Sequence, residues 1–143
     1  MQSDTVKLLR ECNAGIKMGE SAIKKVLPHA RHGELRDALN VCKNTHASLG
    51  DETHEMLLRH EADTKEAHPV ARMMSDMKIS AKLMMNNTDK TIADLMTDGC
   101  DMGIKSLSKY LNEYGAADKE SRELAQRLIA SEEYLENKMR AFL

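Results

Sequence analysis

Apolar residues recur every three or four positions through most of this 143-residue chain, which is the spacing of one face of an α-helix. The first such stripe follows Asp4, which can act as a helix N-cap, and stops before Pro28, which cannot continue a helix. Its members are Val6, Leu9, Asn13, Ile16, Glu20, Ile23 and Leu27. The pattern predicts a first helix over residues 4–28.

A second stripe begins after a short polar turn and predicts a helix over residues 34–62. Its members are Leu35, Leu39, Cys42, His46, Leu49, Thr53, Met56 and His60. The stretch HEADTKEAH that follows has no apolar periodicity. We therefore interpret residues 60–68 as a linker.

The second half of the chain begins with Pro69, a residue favoured in the first turn of a helix. It predicts a third helix over residues 69–86. The sequence Asn-Asn-Thr-Asp at residues 86–89 then offers new capping side chains, so a fourth helix is expected over residues 88–114 rather than one unbroken helix.

Asp118 is a further N-cap residue by type and predicts a last helix over residues 118–142. Its apolar stripe is Ala125, Leu128, Glu132, Leu135, Met139 and Phe142. Low contents of aromatic residues (3%), Gly (7) and Pro (2) also favour helices over strands. We predict one all-α domain over residues 1–143, an antiparallel four-helix bundle with the helix 69–86 in the crossover between its second and third long helices.

Charge and cysteine content exclude several classes. The 21 basic and 23 acidic residues are mixed along the chain, which does not suit a nucleic-acid surface. No apolar run reaches membrane-spanning length and no signal peptide is recognised, so a soluble, cytoplasmic protein is expected. Cys12, Cys42 and Cys100 are odd in number and far apart, which predicts buried thiols in a reducing compartment rather than disulfides.

Polar residues on the predicted inner faces are the candidate functional residues. In the stretch HASLGDETHEMLLRH, Asp51 and His54 project outward on a helical wheel, whereas His46 falls on the apolar seam. Glu20 and Glu132 also lie near the seams of their own helices. With a crossover, both glutamates lie about 24 Å from the same end of the bundle. We expect the two carboxylates to meet inside it.

The stretch IADLMTDGCDMGIKSLSKYLNEYGAADKESRELAQRLI, the helix count and the inward glutamates resemble the ferritin-like superfamily, and within it a family of uncharacterised bacterial proteins. The resemblance implies a carboxylate ligand on each of two helices, which Glu20 and Glu132 match, and a Glu-x-x-His on each of the other two. Asp98 and Asp101 point away from the centre, and His46 lacks the accompanying glutamate. A di-iron site is therefore incomplete.

Two functions remain open at this point. The first is a non-catalytic binding or oligomerising protein with no cofactor. The second is a metal-binding protein that acts in metal handling or oxidative stress. In it Glu20, His46 and Glu132 hold a single divalent ion of iron, manganese or zinc. His46 is expected to lie about one helical turn above or below the height of the two glutamates. No catalytic residue is predicted.

Two further patterns bear on partners. The helix 69–86 carries five methionines: Met73, Met74, Met77, Met84 and Met85. A crossover helix buries only one stripe, which Met73, Met77 and Met84 fit. The surplus of flexible apolar side chains predicts a contact surface for a second copy or for another protein. Gly15 with Gly19, and Gly99 with Gly103, repeat at four residues, and this spacing predicts close helix contacts, either inside the bundle or in a dimer.

Overall fold

A computed structural model describes residues 3–63 and 69–143, with the side chains of residues 69–75 also outside the description. This part of the chain is helical with short connections and contains no strand. All predicted helices are confirmed, with ends within three residues of those expected. The helices are Asp4–Val26 (α1), Gly33–Arg59 (α2), Pro69–Met85 (α3), Asp89–Glu113 (α4) and Lys119–Met139 (α5), and the 3-10 turns Leu27–His29 and Arg140–Phe142 continue α1 and α5.

Three helices begin at the side chains that satisfy their free backbone N–H groups. Ser3, Thr88 and Asp118 each accept a hydrogen bond from the N–H three residues further on. The prediction that Asp4 caps the first helix is wrong by one residue. Asp4 instead lies in the first turn, where its carboxylate accepts a hydrogen bond from the backbone N–H of Ala116 at 3.1 Å.

The core consists of two apolar clusters, one at each end of the bundle. The upper cluster includes Ile23, Val26, Leu35, Leu39, Ile92, Met96, Leu135 and Met139. The lower cluster includes Val6, Leu9, Ile16, Leu49, Leu57, Leu107, Leu124 and Leu128. The carboxyl halves of α1 and α5 thus share an end with the amino halves of α2 and α4. Consequently α2 and α4 run parallel, and the chain must return along the bundle between them.

The return is made by α3, which lies beside α1 and runs in the same direction. The hydroxyl of Ser21 donates to Asp76 at 3.3 Å, and one turn further on Lys25 donates to Ser80, also at 3.3 Å. Partners that increase together along both helices show parallel packing. The predicted bundle with a helix in its crossover therefore describes the observed helix order and directions.

The buried side of α3 differs from the prediction. Ile79 and Leu83 pack into the upper cluster, and they are one helical turn apart. The methionines described on this helix, Met77, Met84 and Met85, are exposed. Met73 and Met74 lie outside the described side chains. The expectation that Met77 and Met84 form the buried stripe is wrong, because the branched aliphatic residues occupy that face.

Other sequence expectations are met in part. Cys12, Cys42 and Cys100 are free and buried, as predicted. No helix within residues 3–63 and 69–143 is long and apolar enough to span a membrane.

Candidate functional site

A polar layer separates the two apolar clusters at mid-height in the bundle. We define this central polar layer as Gly19 of α1, His46 of α2, Gly103 of α4, and Ser131 and Glu132 of α5. Each of the four long helices thus contributes at least one residue. The inner faces of the helices above and below this layer are apolar. The buried polar side chains of the layer must therefore form hydrogen bonds with one another or with the backbone.

His46 is at the centre of this layer and is fully buried. Its Nε2 lies 2.9 Å from Oε1 of Glu132. Its Nδ1 lies 3.0 Å from the backbone carbonyl oxygen of Cys42, one turn earlier on α2. A carbonyl oxygen can only accept a hydrogen bond, and a carboxylate does the same, so both ring nitrogens donate. This geometry describes an imidazolium paired with a carboxylate.

Electrostatics agree with this protonation state. Burial by itself lowers the pKa of His46. Its contacts with the Cys42 side chain, whose Sγ lies 3.5 Å from Nδ1, and with Glu132 outweigh burial and raise the pKa from 6.5 to about 10. The predicted inward orientation of His46 is confirmed. The side chains of His46 and Glu132 meet at 2.9 Å, so the expected difference in height of about one turn does not keep them apart.

His46 is not suited to act as a general base at neutral pH. Ser131 Oγ lies 3.5 Å from His46 Nδ1, a Ser-His-Glu arrangement by residue type. However, Nδ1 already carries a proton and faces the Cys42 carbonyl, so it cannot accept the hydroxyl proton of Ser131. The arrangement therefore suits a structural ion pair better than a nucleophile.

Glycines on two helices make room for this ion pair. A Cβ atom added to Gly19 would lie 2.8 Å from His46 Nε2 and 3.8 Å from Glu132 Oε1. One added to Gly103 would lie 3.5 Å from Cδ of Glu132. The close approach predicted inside the bundle thus applies to Gly19 and Gly103. Around Gly15 and Gly99 nothing lies within 4 Å of such an atom, so these two positions make no tight contact.

Glu20 does not join His46 and Glu132 as expected. Its Oε1 lies 4.0 Å from Nζ of Lys17, and its side chain is partly exposed. The reason is rotation of α1, which presents Gly19 rather than Glu20 to the centre. The predicted meeting of Glu20 with Glu132 is therefore replaced by the contact of Glu132 with His46.

The ligand set proposed for a metal is correspondingly incomplete. Within the described residues, no group of three His, Cys, Asp or Glu side chains is arranged to hold a metal ion. The single-ion site of Glu20, His46 and Glu132 remains a prediction; of its three residues, His46 and Glu132 are in contact.

A second polar contact lies beside the layer, between α4 and α5. The thiol of Cys100 is hydrogen-bonded to Glu132, and its pKa is raised by burial and by the nearby carboxylate. One turn further along α5, burial and the nearby carboxyl group of Asp101 raise the pKa of Glu136, which accepts a hydrogen bond from Arg140 at 3.2 Å. The sequence did not point to Cys100 as a neighbour of the candidate residues, since a cysteine on a seam is usually a packing residue.

Outside the layer, the charged residues of α2 around Asp51 and His54 lie on the protein surface, as predicted. Asp51 and His54 are exposed. Glu52 forms a two-point ion pair with Arg127 of α5, with distances of 2.7 and 3.1 Å. These residues tie α2 to α5 at the surface and contribute no ligand to the layer.

An open cleft of about 640 Å³ lies between α2 and α5 at the height of the layer. Val41 and Tyr134 form its exposed walls, and the buried Ser131 lies at its floor. Small side chains on the facing helices leave this space, and no sequence pattern predicted it.

The pairing of His46 gives stability a defined pH dependence. Because its folded pKa of about 10 lies above the unfolded value of 6.5, its contribution is complete below pH 6.5 and is lost as pH rises toward 10. We expect the free energy of unfolding to fall between pH 6.5 and pH 8, a range that lies below the unfolded pKa of 9.0 of the Cys12 and Cys100 thiols. Urea unfolding at each pH measures it. A variant with Leu at both His46 and Glu132 should show no such fall, and an equal fall in both proteins would contradict the assignment.

Comparison with known proteins found no counterpart: no family model, no curated protein and no solved structure matches this chain. The ferritin-like resemblance therefore stays a prediction.

Proposed function

We propose that this protein is a non-catalytic helical bundle that acts by contact with another polypeptide through the exposed face of α3. The observation that carries the proposal is the exposure of Met77, Met84 and Met85, at 65%, 88% and 89%. Apolar side chains this exposed and clustered on one peripheral helix usually mark a contact surface, because thioether side chains repack easily against a partner.

The chemistry of the central polar layer supports a non-catalytic role. His46 donates from both ring nitrogens, so it has no lone pair for general-base catalysis. The Cys12 and Cys100 thiols have raised pKa values because they are buried, Cys12 to about 12. Neither supplies a reactive thiolate at neutral pH.

The helix order also supports a ferritin-like architecture for this chain. Antiparallel helix pairs joined by a long crossover are one of the known four-helix-bundle topologies, the one that ferritin-like proteins use. In this proposal the fold is retained, while an ion pair occupies the position at which related bundles carry metal ligands.

The contact function is tested by placing a photo-crosslinking amino acid at Met84, and in a matched protein at Leu58. Leu58 of α2 is also apolar and 61% exposed, but it lies outside the α3 face. We expect adducts in living cells from position 84 and not from position 58, and their loss when Met77 and Met85 are changed to Glu. Equal adduct yields at both positions, or none at either, would reject the proposal.

Metal binding is the second candidate, favoured by the contact of His46 with Glu132 at 2.9 Å. An ion there would take the place of the proton on Nε2, so affinity must increase with pH. Titration of the untagged protein with zinc, manganese and iron at pH 6.5 and pH 8 tests this candidate. Binding of one equivalent that strengthens at pH 8 and disappears in His46→Gln supports it, whereas no saturable binding at either pH excludes it.

A further inference from the structure

We infer that the polypeptide bound by the α3 face is an acidic segment of another protein, lying along the side of α3 that adjoins α1; this inference rests on the proposed function. It follows from two cations beside the exposed methionines, Lys25 and Arg31, whose side chains have only neutral partners within the described residues. On the opposite side of α3, by contrast, Lys82 is already paired with a carboxylate.

The two exposed sides of α3 adjoin different helices. Ser80 contacts Lys25 of α1 at 3.3 Å, whereas Lys82 is ion-paired with α4 at 3.5 Å. Successive helical residues point about 100° apart, which places Met84 about 40° and Met77 about 60° from Ser80. Lys82 lies about 160° from Ser80 by the same count. The exposed side chains of Met77 and Met84 therefore lie on the side of α3 that adjoins α1.

The two cations lie at the height of these methionines. The end of α1 and the turn after it run alongside α3, where Lys25 donates to Ser80. Further along, the guanidinium of Arg31 donates to the amide oxygen of Asn87 at 3.4 Å. Met84 comes between Ser80 and Asn87 and therefore lies between the two cations. Because its side chain is 88% exposed, a segment that covers Met84 along α3 passes both Lys25 and Arg31.

No carboxylate within the described residues forms an ion pair with Lys25 or Arg31. Lys25 donates to a hydroxyl and Arg31 to an amide. The carboxylates close by are engaged elsewhere. Asp76 accepts a hydrogen bond from a hydroxyl of α1, and Asp89 accepts from two backbone N–H groups of the turn after α1, at 2.8 and 3.0 Å. The two cations thus remain available to carboxylates that a partner supplies.

The side of α3 that adjoins α4 carries no such surplus of positive charge. Lys82 is paired with Asp94. Lys78 lies one turn before Lys82, and Asp98 one turn after Asp94 on the antiparallel α4, so they lie opposite each other. An acidic segment on this side would be repelled by Asp94 and Asp98. The distribution of charge therefore favours the side that adjoins α1.

A polypeptide segment suits this surface better than an anionic membrane does. Asp94 and Asp98 are exposed, and a flat anionic surface that rests on the outer face of α3 would also approach them. A helix is only about 10 Å wide, so it can follow the α1 side alone. In addition, α3 contains no aromatic residue, the residue type that commonly anchors helices at a membrane interface.

Sequencing of the captured partner tests the inference. The photo-crosslinking amino acid is placed at Met84 of the full chain in living cells, and mass spectrometry identifies the linked stretch. We expect this stretch to carry a net negative charge over about ten residues around the linked position, which as a helix span about 15 Å. A neutral or basic stretch would overturn the inference.

Charge reversal of the two cations provides a second readout. Lys25→Glu with Arg31→Glu should lower the adduct yield at position 84 at least about tenfold, and the neutral pair Lys25→Gln with Arg31→Gln should lower it less. The control Lys109→Glu with Lys138→Glu makes the same change in net charge at exposed positions of α4 and α5 and should leave the yield unchanged. Circular dichroism confirms that each variant is helical. Equal yields in the reversed variant and the control would contradict the assignment.

Two measurements on the purified chain separate the acidic segment from other ligands. The captured stretch, synthesised as a peptide, should bind with an affinity that falls as the salt concentration rises, because exposed ion pairs are screened. Affinity that does not change with salt would overturn the inference. Flotation with vesicles of phosphatidylserine and phosphatidylcholine should leave the chain unbound. Flotation that disappears in Lys25→Glu with Arg31→Glu would assign the cations to a membrane instead.

Failure of this inference is separable from failure of the proposed function. Adducts from position 84 with a neutral or basic stretch overturn the acidic partner and leave a contact function. Adducts of twice the chain mass, which indicate a second copy, do the same. The absence of adducts from position 84 rejects both.

Discussion

Replacing Glu132 by Leu is expected to destabilise the protein by about 3 kcal/mol at neutral pH, because it leaves the buried His46 without the carboxylate that its Nε2 contacts at 2.9 Å. His46→Leu should cost a similar amount, since it leaves the carboxylate of Glu132 in a largely buried position without its donor. Urea unfolding monitored by circular dichroism measures both losses.

The double variant is the informative one. Two leucines in place of His46 and Glu132 remove the unpaired group from the centre of the bundle, and apolar replacement of a buried ion pair is often neutral or stabilising. We expect the double variant to be more stable than either single variant by more than about 1 kcal/mol, a coupling typical of direct contact. Glu133→Leu, the exposed neighbour on α5, should change stability by at most about 0.5 kcal/mol. If the double variant lost as much stability as the two single variants combined, His46 and Glu132 would not be energetically coupled.

Gly19→Ala is the second change with a large expected effect. Alanine normally stabilises a helix relative to glycine by about 1 kcal/mol. At this position the added Cβ would lie 2.8 Å from His46 Nε2, and the ring is held by hydrogen bonds at both nitrogens, so it cannot move aside freely. We expect a net loss of about 1–3 kcal/mol, the usual cost of overpacking.

Gly15 is a matched control for this prediction. It lies one turn earlier on α1, and nothing lies within 4 Å of a Cβ added there. Gly15→Ala should therefore stabilise the protein by up to about 1 kcal/mol. In a His46→Ala background the cost of Gly19→Ala should largely disappear. If Gly15→Ala and Gly19→Ala had the same effect in the natural chain, the close packing of Gly19 on His46 would be wrong.

The central polar layer shows which residues of the candidate site can be identified from sequence patterns and which cannot. His46 is identified by its place in a row of Leu35, Leu39, Cys42 and Leu49, because only an inward position has that spacing. The partner of His46 was not predictable by the same means. Helices in contact lie about 8–10 Å apart, which a histidine and a glutamate can span together, so small rotations decide which pairs meet.

Glu20 and Gly19 illustrate the effect of such a rotation. They are adjacent on α1, and successive helical residues point about 100° apart. The position of Glu20 near the apolar seam made it the predicted inward residue, but in the bundle Gly19 faces His46 and Glu20 lies near Lys17. The orientation of α1 follows from its packing against α2, α3, α4 and α5, so it cannot be predicted from the sequence of α1 alone.

The sequence alone determines the helices, their order and the existence of the crossover, because helix spacing, capping residues and proline act over a few neighbouring positions. It also identifies the two inward side chains that form the ion pair. The tertiary structure alone decides that Glu132 rather than Glu20 contacts His46, that Gly19 rather than Gly15 must stay small, and that Ile79 and Leu83 rather than Met77 and Met84 hold α3. These choices depend on contacts between residues far apart in the chain, where distances of 1 or 2 Å separate a hydrogen bond from a clash.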